Sequence, residues 1–213
     1  MKKMKGFGEG LPKIATSKVK SHNKKTKKSI QENKTKAFIN KTLADSGKNT
    51  SIAIVLDGPD IKTTKALVKA GWRKTKIHNV NCSNDYYTIA KKHRRTYNCT
   101  MHEFLYERKG EKRKIGLIYL DYMCTWPGND VTTPELDIDL LFDEDLLAEG
   151  AILGITLSTR AKRDNEFFKY QDIGKVMNHI FQAGQDNGRR IQILEGGAYN
   201  NAGSMFSYIF KVI

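Results

Sequence analysis

SIAIVLDGPDIKTTKALVKAG, residues 51–71, decides the fold. Residues 52–56 form a continuous apolar run, which suits a strand buried on both faces, and Asp57-Gly58-Pro59 ends it. Residues 63–71 then predict a helix with hydroxyls near its start and a glycine stop. The same alternation recurs outward from this unit. Residues 76–81 predict a second strand and 84–93 a helix. A third strand is expected over 97–101, and a fourth over 115–120, where a fully apolar run ends at Asp121. A helix over 134–149, a strand over 151–157 and a helix over 167–185 follow. Residues 190–194 and 204–212 read as two last strands, joined by the Gly- and Asn-rich stretch 196–203, with no room for a helix between them. The expectation is an α/β fold: a doubly wound, mostly parallel seven-stranded sheet with a C-terminal antiparallel hairpin, in three layers.

Charge divides the 213-residue chain unevenly. Its formal net charge is +14, of which residues 1–48 hold +11, from fourteen Lys, no Arg and three acids, leaving +3 for the remainder. Residues 1–48 are therefore expected as a basic, largely flexible arm, because a segment so poor in apolar residues cannot offset the entropy of ordering. Residues 49–213 form the folded domain. Lys24, Lys25, Lys27 and Lys28 in KKTKK suit phosphate contacts that release counterions without reading sequence. A solubilising tail or a transport signal would have the same composition. No apolar stretch is long enough to span a membrane, and no secretory h-region follows the basic start. Cys82, Cys99 and Cys124 are dispersed, with no zinc-ligand spacing, so no metal is expected; reduced thiols point to a cytoplasmic or nuclear compartment.

In open parallel sheets, ligands bind at the carboxyl ends of the strands. The order of elements and the residues at those ends resemble the Rossmann-like class I S-adenosylmethionine-dependent methyltransferases, over residues 51–213. The resemblance implies S-adenosylmethionine as cofactor. It places Asp57, Gly58 and Pro59 in the first-strand turn that approaches the cofactor's methionine part, although Pro59 and Asp60 stand where further glycines are usual. It places Asn81 at the ribose, where the family usually has an acid, His102 beside the adenine, and Asp121 where substrate meets cofactor.

Asp121, Tyr122 and Lys162 are the catalytic candidates. The segment DYMC carries the aspartate and an aromatic but lacks the prolines of amino-group methyltransferases, and Cys124 lacks the preceding proline of the cytosine carbon-5 enzymes. Ribose 2′-O-methyltransferases use a Lys-Asp-Lys-Glu tetrad; here Lys41, Asp121 and Lys162 fall at matching positions, while Glu195 ends the sixth strand rather than starting the seventh. Trp126, Arg160 and Arg163 are expected to hold nucleic acid, the indole by stacking and the guanidiniums on phosphate. His78, inside a strand, reads as a packed histidine. The sequence thus points to a methyltransferase acting on nucleic acid, with RNA favoured. The alternative is a non-catalytic nucleic-acid-binding or scaffold protein on a degenerate methyltransferase fold. A different nucleotide-dependent transferase would need a phosphate-binding glycine loop, which is absent.

Overall fold

The computed structural model describes residues 27–47, 51–58, 60–83, 87, 95–122, 124–158, 166–199 and 205–213, without the side chains of 27–35, 166–171 and 198–199. Helix α1 (Lys27–Ser46) precedes strand β1 (Ile52–Val55), helix α2 (Lys62–Lys69), β2 (Ile77–Val80) and the two-residue β3 (Thr96–Tyr97). Helix α3 (Met101–Tyr106), β4 (Ile115–Asp121), α4 (Pro134–Asp143), β5 (Leu147–Ser158), α5 (Glu166–Asp186), β6 (Ile191–Tyr199) and β7 (Met205–Val212) complete the chain. The sheet order is β3-β2-β1-β4-β5-β7-β6. Pairing is parallel from β3 through β5 and antiparallel for β5–β7 and β7–β6. This is the expected mixed sheet with its terminal hairpin, and β7 lies inside while β6 forms the edge.

Two apolar layers sandwich the sheet. Ile39, Leu43 and Ala44 of α1 join Leu67 and Trp72 on one face, against Ala53, Val55, Leu117, Tyr119 and Ile209. Phe104, Leu105, Ile138, Leu141, Val176 and Ile180 cover the other, against Ile54, Ile118, Leu120, Leu153 and Phe210. Every residue of β1 and β2 is buried, as it must be where helices cover both faces.

Four expectations are corrected. The stretch read as a flexible arm contains α1, whose Leu43 is fully buried, so the folded body begins well before residue 49. The close approach is possible because Gly154 has no side chain: a Cβ there would lie 2.7 Å from Leu43 Cδ2 and 2.8 Å from the Tyr119 ring. The third strand stops at Tyr97, since Thr100 caps α3 through a capping box with Glu103 and turns residue 101 into helix. The helix expected over 134–149 ends at Asp143; Asp145 takes a positive φ of 47° and the chain enters β5 four residues before 151. Strand β6 likewise continues to Tyr199 through the glycines expected to form a loop, because the Tyr208 ring packs over Gly196, where a Cβ would meet it at 2.1 Å. The helix expected over 84–93 falls almost wholly outside the described residues.

His78 is a packed strand residue. Its ring stacks on Tyr97 at 5.6 Å, and its Nε2 lies 3.2 Å from Arg95 Nη1, so it accepts that guanidinium's hydrogen. Burial, then Arg95, Arg108 and Arg113, lower its pKa from 6.5 to about 4. The fold therefore favours the neutral ring, and that contribution is complete above pH 6.5 and lost as pH falls towards 4. Denaturant unfolding of the wild type should weaken across that window, whereas His78→Phe should lack this component. Parallel pH profiles for the two would contradict this account.

Candidate active site

The carboxyl ends of β1, β4 and β5 bring together a chain of polar side chains on the α1–α2 face. Asp121, the last residue of β4, pairs with Lys36 of α1. Lys36 Nζ also donates to the Tyr119 hydroxyl at 2.8 Å and lies 4.6 Å from that ring's centroid. The Tyr119 hydroxyl meets Thr156 Oγ1 at 2.8 Å, and Thr156 Oγ1 donates to Ser207 Oγ at 3.0 Å. Read by donors, the relay runs Lys36, Tyr119, Thr156, Ser207, crossing from α1 through β4 and β5 to β7. Burial raises the Asp121 pKa, and Lys36 opposes that rise. Burial pushes the Tyr119 phenol well above its ordinary value, so it stays protonated.

At the end of β1, Asp57 is buried and its carboxylate accepts the Thr63 amide at 2.9 Å and the Thr64 amide at 2.8 Å. It thereby satisfies the exposed donors of the first turn of α2. The turn between them has Ile61 buried in the left-handed region, φ 45° and ψ 45°, its amide donating to Gly58 O at 2.9 Å. A β-branched residue there is strained by about 1–3 kcal/mol, the cost of a turn without the usual glycines. Among the described residues, nothing would crowd a Cβ at Gly58 within 4 Å. Asn79, at the end of β2, accepts the Asp57 amide at 3.2 Å, while its buried Nδ2 has no hydrogen-bond partner among the described residues. Asn81 donates to Asp57 O at 3.1 Å and accepts the Ser83 amide at 2.9 Å, which leaves one hydrogen and one lone pair on its amide.

The other expected site residues are dispersed. Tyr122 follows Asp121 but turns to the opposite face, as successive strand residues do, and its buried hydroxyl donates to Asp137 of α4. His102 Nδ1 is 3.2 Å from the other Asp137 oxygen. These three form a network separate from Asp121, so the structure does not bring the catalytic candidates Tyr122 and Asp121 together. Trp126 is 9% exposed, packed in the core with its edge on His179 at 5.1 Å, so it offers a base little open face. Burial raises the Cys124 thiol to about 11, against a nucleophilic role. Lys41 pairs with Asp45 on the outside of α1 and does not reach Asp121. The lysine of α1 that meets Asp121 is Lys36, five residues earlier. Glu195 is exposed on the edge strand. Lys24, Lys25, Pro59, Arg160, Lys162 and Arg163 lie outside the described residues, as do the side chains of Lys27 and Lys28. Among the described residues, no three His, Cys, Asp or Glu side chains converge as a metal set, and no helix is long and apolar enough to cross a membrane.

Comparison with solved structures places this sheet in a known architecture. SMU.776, assigned as a methyltransferase and solved with S-adenosylhomocysteine, matches with a TM-score of 0.57 at 9% identity, over 82% of this chain and 48% of its own. The chain has the class I S-adenosylmethionine-dependent methyltransferase fold. An rRNA methylase from Streptococcus thermophilus matches this methyltransferase fold over 82% of the chain and 93% of its own, with a TM-score of 0.52 and 11% identity. The fibrillarin/Nop5p complex matches over 76% and 73%, with a TM-score of 0.51 and 13% identity. No family profile matches the sequence, and no curated protein matches it.

Sequence reasoning missed Lys36, Tyr119, Thr156 and Ser207. Three of them sit inside apolar strand runs, where a hydroxyl reads as packing. Lys36 was one of fourteen lysines, and only the apolar spacing Ile39, Leu43, Ala44 could have marked its helix as docked.

Proposed function

We propose that this protein is an S-adenosylmethionine-dependent methyltransferase acting on nucleic acid, with RNA the favoured substrate. The observation that carries the reading is the Lys36–Asp121 pair at the carboxyl end of β4, on a methyltransferase fold. A partly buried carboxylate whose pKa is raised by desolvation and restrained by a lysine is a poised proton acceptor. The cofactor would lie against Gly58 and the ends of β1 and β2, where Asn79 Nδ2 is a buried donor in need of an acceptor and Asn81 has spare capacity. When bound, it supplies an electrophilic methyl group on a sulfonium. Asp121 orients the acceptor hydroxyl or amine and takes its proton as the methyl is transferred. Lys36 holds Asp121 ionised until that moment, and Tyr119, Thr156 and Ser207 fix the position of Lys36. The pairing of lysine with aspartate favours a ribose hydroxyl as acceptor. Two structural neighbours are named as rRNA methylases, which supports the same substrate class.

Isothermal titration with S-adenosylhomocysteine should give saturable binding to the full chain. Incubation with RNA and methyl-labelled cofactor should then label the RNA. Absence of binding at millimolar ligand would leave the non-catalytic scaffold reading, which the glycine-poor turn at Ile61 favours.

A further inference from the structure

Residues 49–213, with a formal charge of only +3, distribute that charge unevenly. Residues 60–76 contain six basic residues and one acid, whereas residues 134–149 contain seven acids and no base. The fold sends these two segments to opposite faces of the sheet, since Leu67 and Trp72 pack in one apolar layer and Ile138 and Leu141 in the other. On α2, Thr63 and Leu67 are buried, while Lys62, Lys65 and Lys69 are exposed at spacings of three and four residues, which aligns them as one outward stripe. The stripe rises about 10 Å along the helix and continues into exposed Arg73 and Lys74. Lys65, Lys69, Arg73 and Lys74 make no ion pair among the described residues. The acids of the opposite face are largely spent: Glu144 on Lys109, Asp145 on Lys114 and Arg189, and Asp139 on His179.

We propose that the exposed face of α2 and the turn after it, Lys62 to Lys74, is a docking surface for the phosphate backbone of a nucleic acid. Its partner is fixed by charge complementarity, because a row of cations with few nearby acids attracts a polyanion and carries no sequence information. Its position gives it a use. Helix α2 starts at the Asp57 turn, so the stripe begins at the same sheet edge as Lys36 and Asp121 and leads away from it. This inference rests on the nucleic-acid reading above and adds a surface that the N-terminal lysines do not supply.

The test is fluorescence anisotropy of the full chain on single-stranded RNA across salt concentrations, comparing the wild type with Lys65→Gln/Lys69→Gln. The control is Lys112→Gln/Arg113→Gln, which removes the same charge from exposed positions at the opposite end of the sheet, just before β4. Two lost phosphate contacts reduce the slope of log K against log salt by about 1.4, or about 25-fold in affinity at 0.1 M salt relative to 1 M. The α2 variant should show that loss and the control should not, with S-adenosylhomocysteine binding unchanged in both. Equal loss in both variants, or no loss in the α2 variant, overturns the surface while leaving the nucleic-acid reading intact. Failure of the wild type to bind RNA, with binding to phosphatidylserine vesicles instead, overturns both.

Discussion

Asp121→Ala should lower methyl transfer by about 10²- to 10⁴-fold, the range that a positioned proton acceptor contributes, with S-adenosylhomocysteine affinity within a few-fold of wild type. The aspartate ends β4, the strand beside β1, whereas the cofactor contacts are assigned to Gly58, Asn79 and Asn81, so the rate should fall much further than the affinity. Lys36→Met should produce a loss of the same order with an added signature. Lys36 lowers the Asp121 pKa against the effect of burial, so removing it raises that pKa and moves the acid limb of the pH–rate profile to higher pH. Single-turnover rates measured from pH 5 to 9 would read both effects. Full activity in Asp121→Ala would remove the pair from the mechanism. An unshifted acid limb in Lys36→Met would reduce Lys36 to a structural contact.

Leu43→Ala should cost about 2–5 kcal/mol, because Leu43 is fully buried between α1 and the sheet and its neighbours Gly154 and Tyr119 cannot collapse far into the space it leaves. For a chain of this length that corresponds to a fall in Tm of roughly 5–15 °C. Lys36 stands seven residues earlier on the same helix, two turns away and on the same face, so looser docking should also lower activity below the loss explained by unfolding. Phe38→Ala is the control: that ring is 54% exposed on the same helix and its removal should change stability by about 0.5 kcal/mol or less. Equal melting temperatures for the two variants would show that α1 is not held by its buried face.

The strands were legible where burial on both faces makes a continuous apolar run, as in β1, β4 and the core of β5, and Asp121 stood out because a charge closed such a run. Boundaries failed where a local device overrode the run. Thr100 and Glu103 form a capping box that the spacing Thr-x-x-Glu could have signalled, and it cut the third strand to two residues. Tyr208 covers Gly196 and carries β6 through glycines that read as a loop. The candidate site divided in the same way. Asp57, Gly58, Asn81 and Asp121 are at strand ends as their positions implied. Tyr122, however, is separated from Asp121 by the alternation of side chains at the strand end, and Lys41 by its place on the outer face of α1.

Composition and periodicity alone therefore determined the alternating α/β order, the antiparallel finish, the excess of lysine in the first 48 residues and an aspartate at the end of the fourth strand. The tertiary structure decided which lysine meets that aspartate, because a helix in a lysine-rich segment docks only if the sheet offers a place for Leu43, and that place is made by a missing side chain at Gly154 more than a hundred residues away. It also decided that the cations of residues 60–76 and the acids of α4, which nearly cancel in the sum over residues 49–213, lie on opposite faces of the sheet. A sum over the sequence cancels opposite charges, whereas crossovers to opposite sides of a sheet keep them apart.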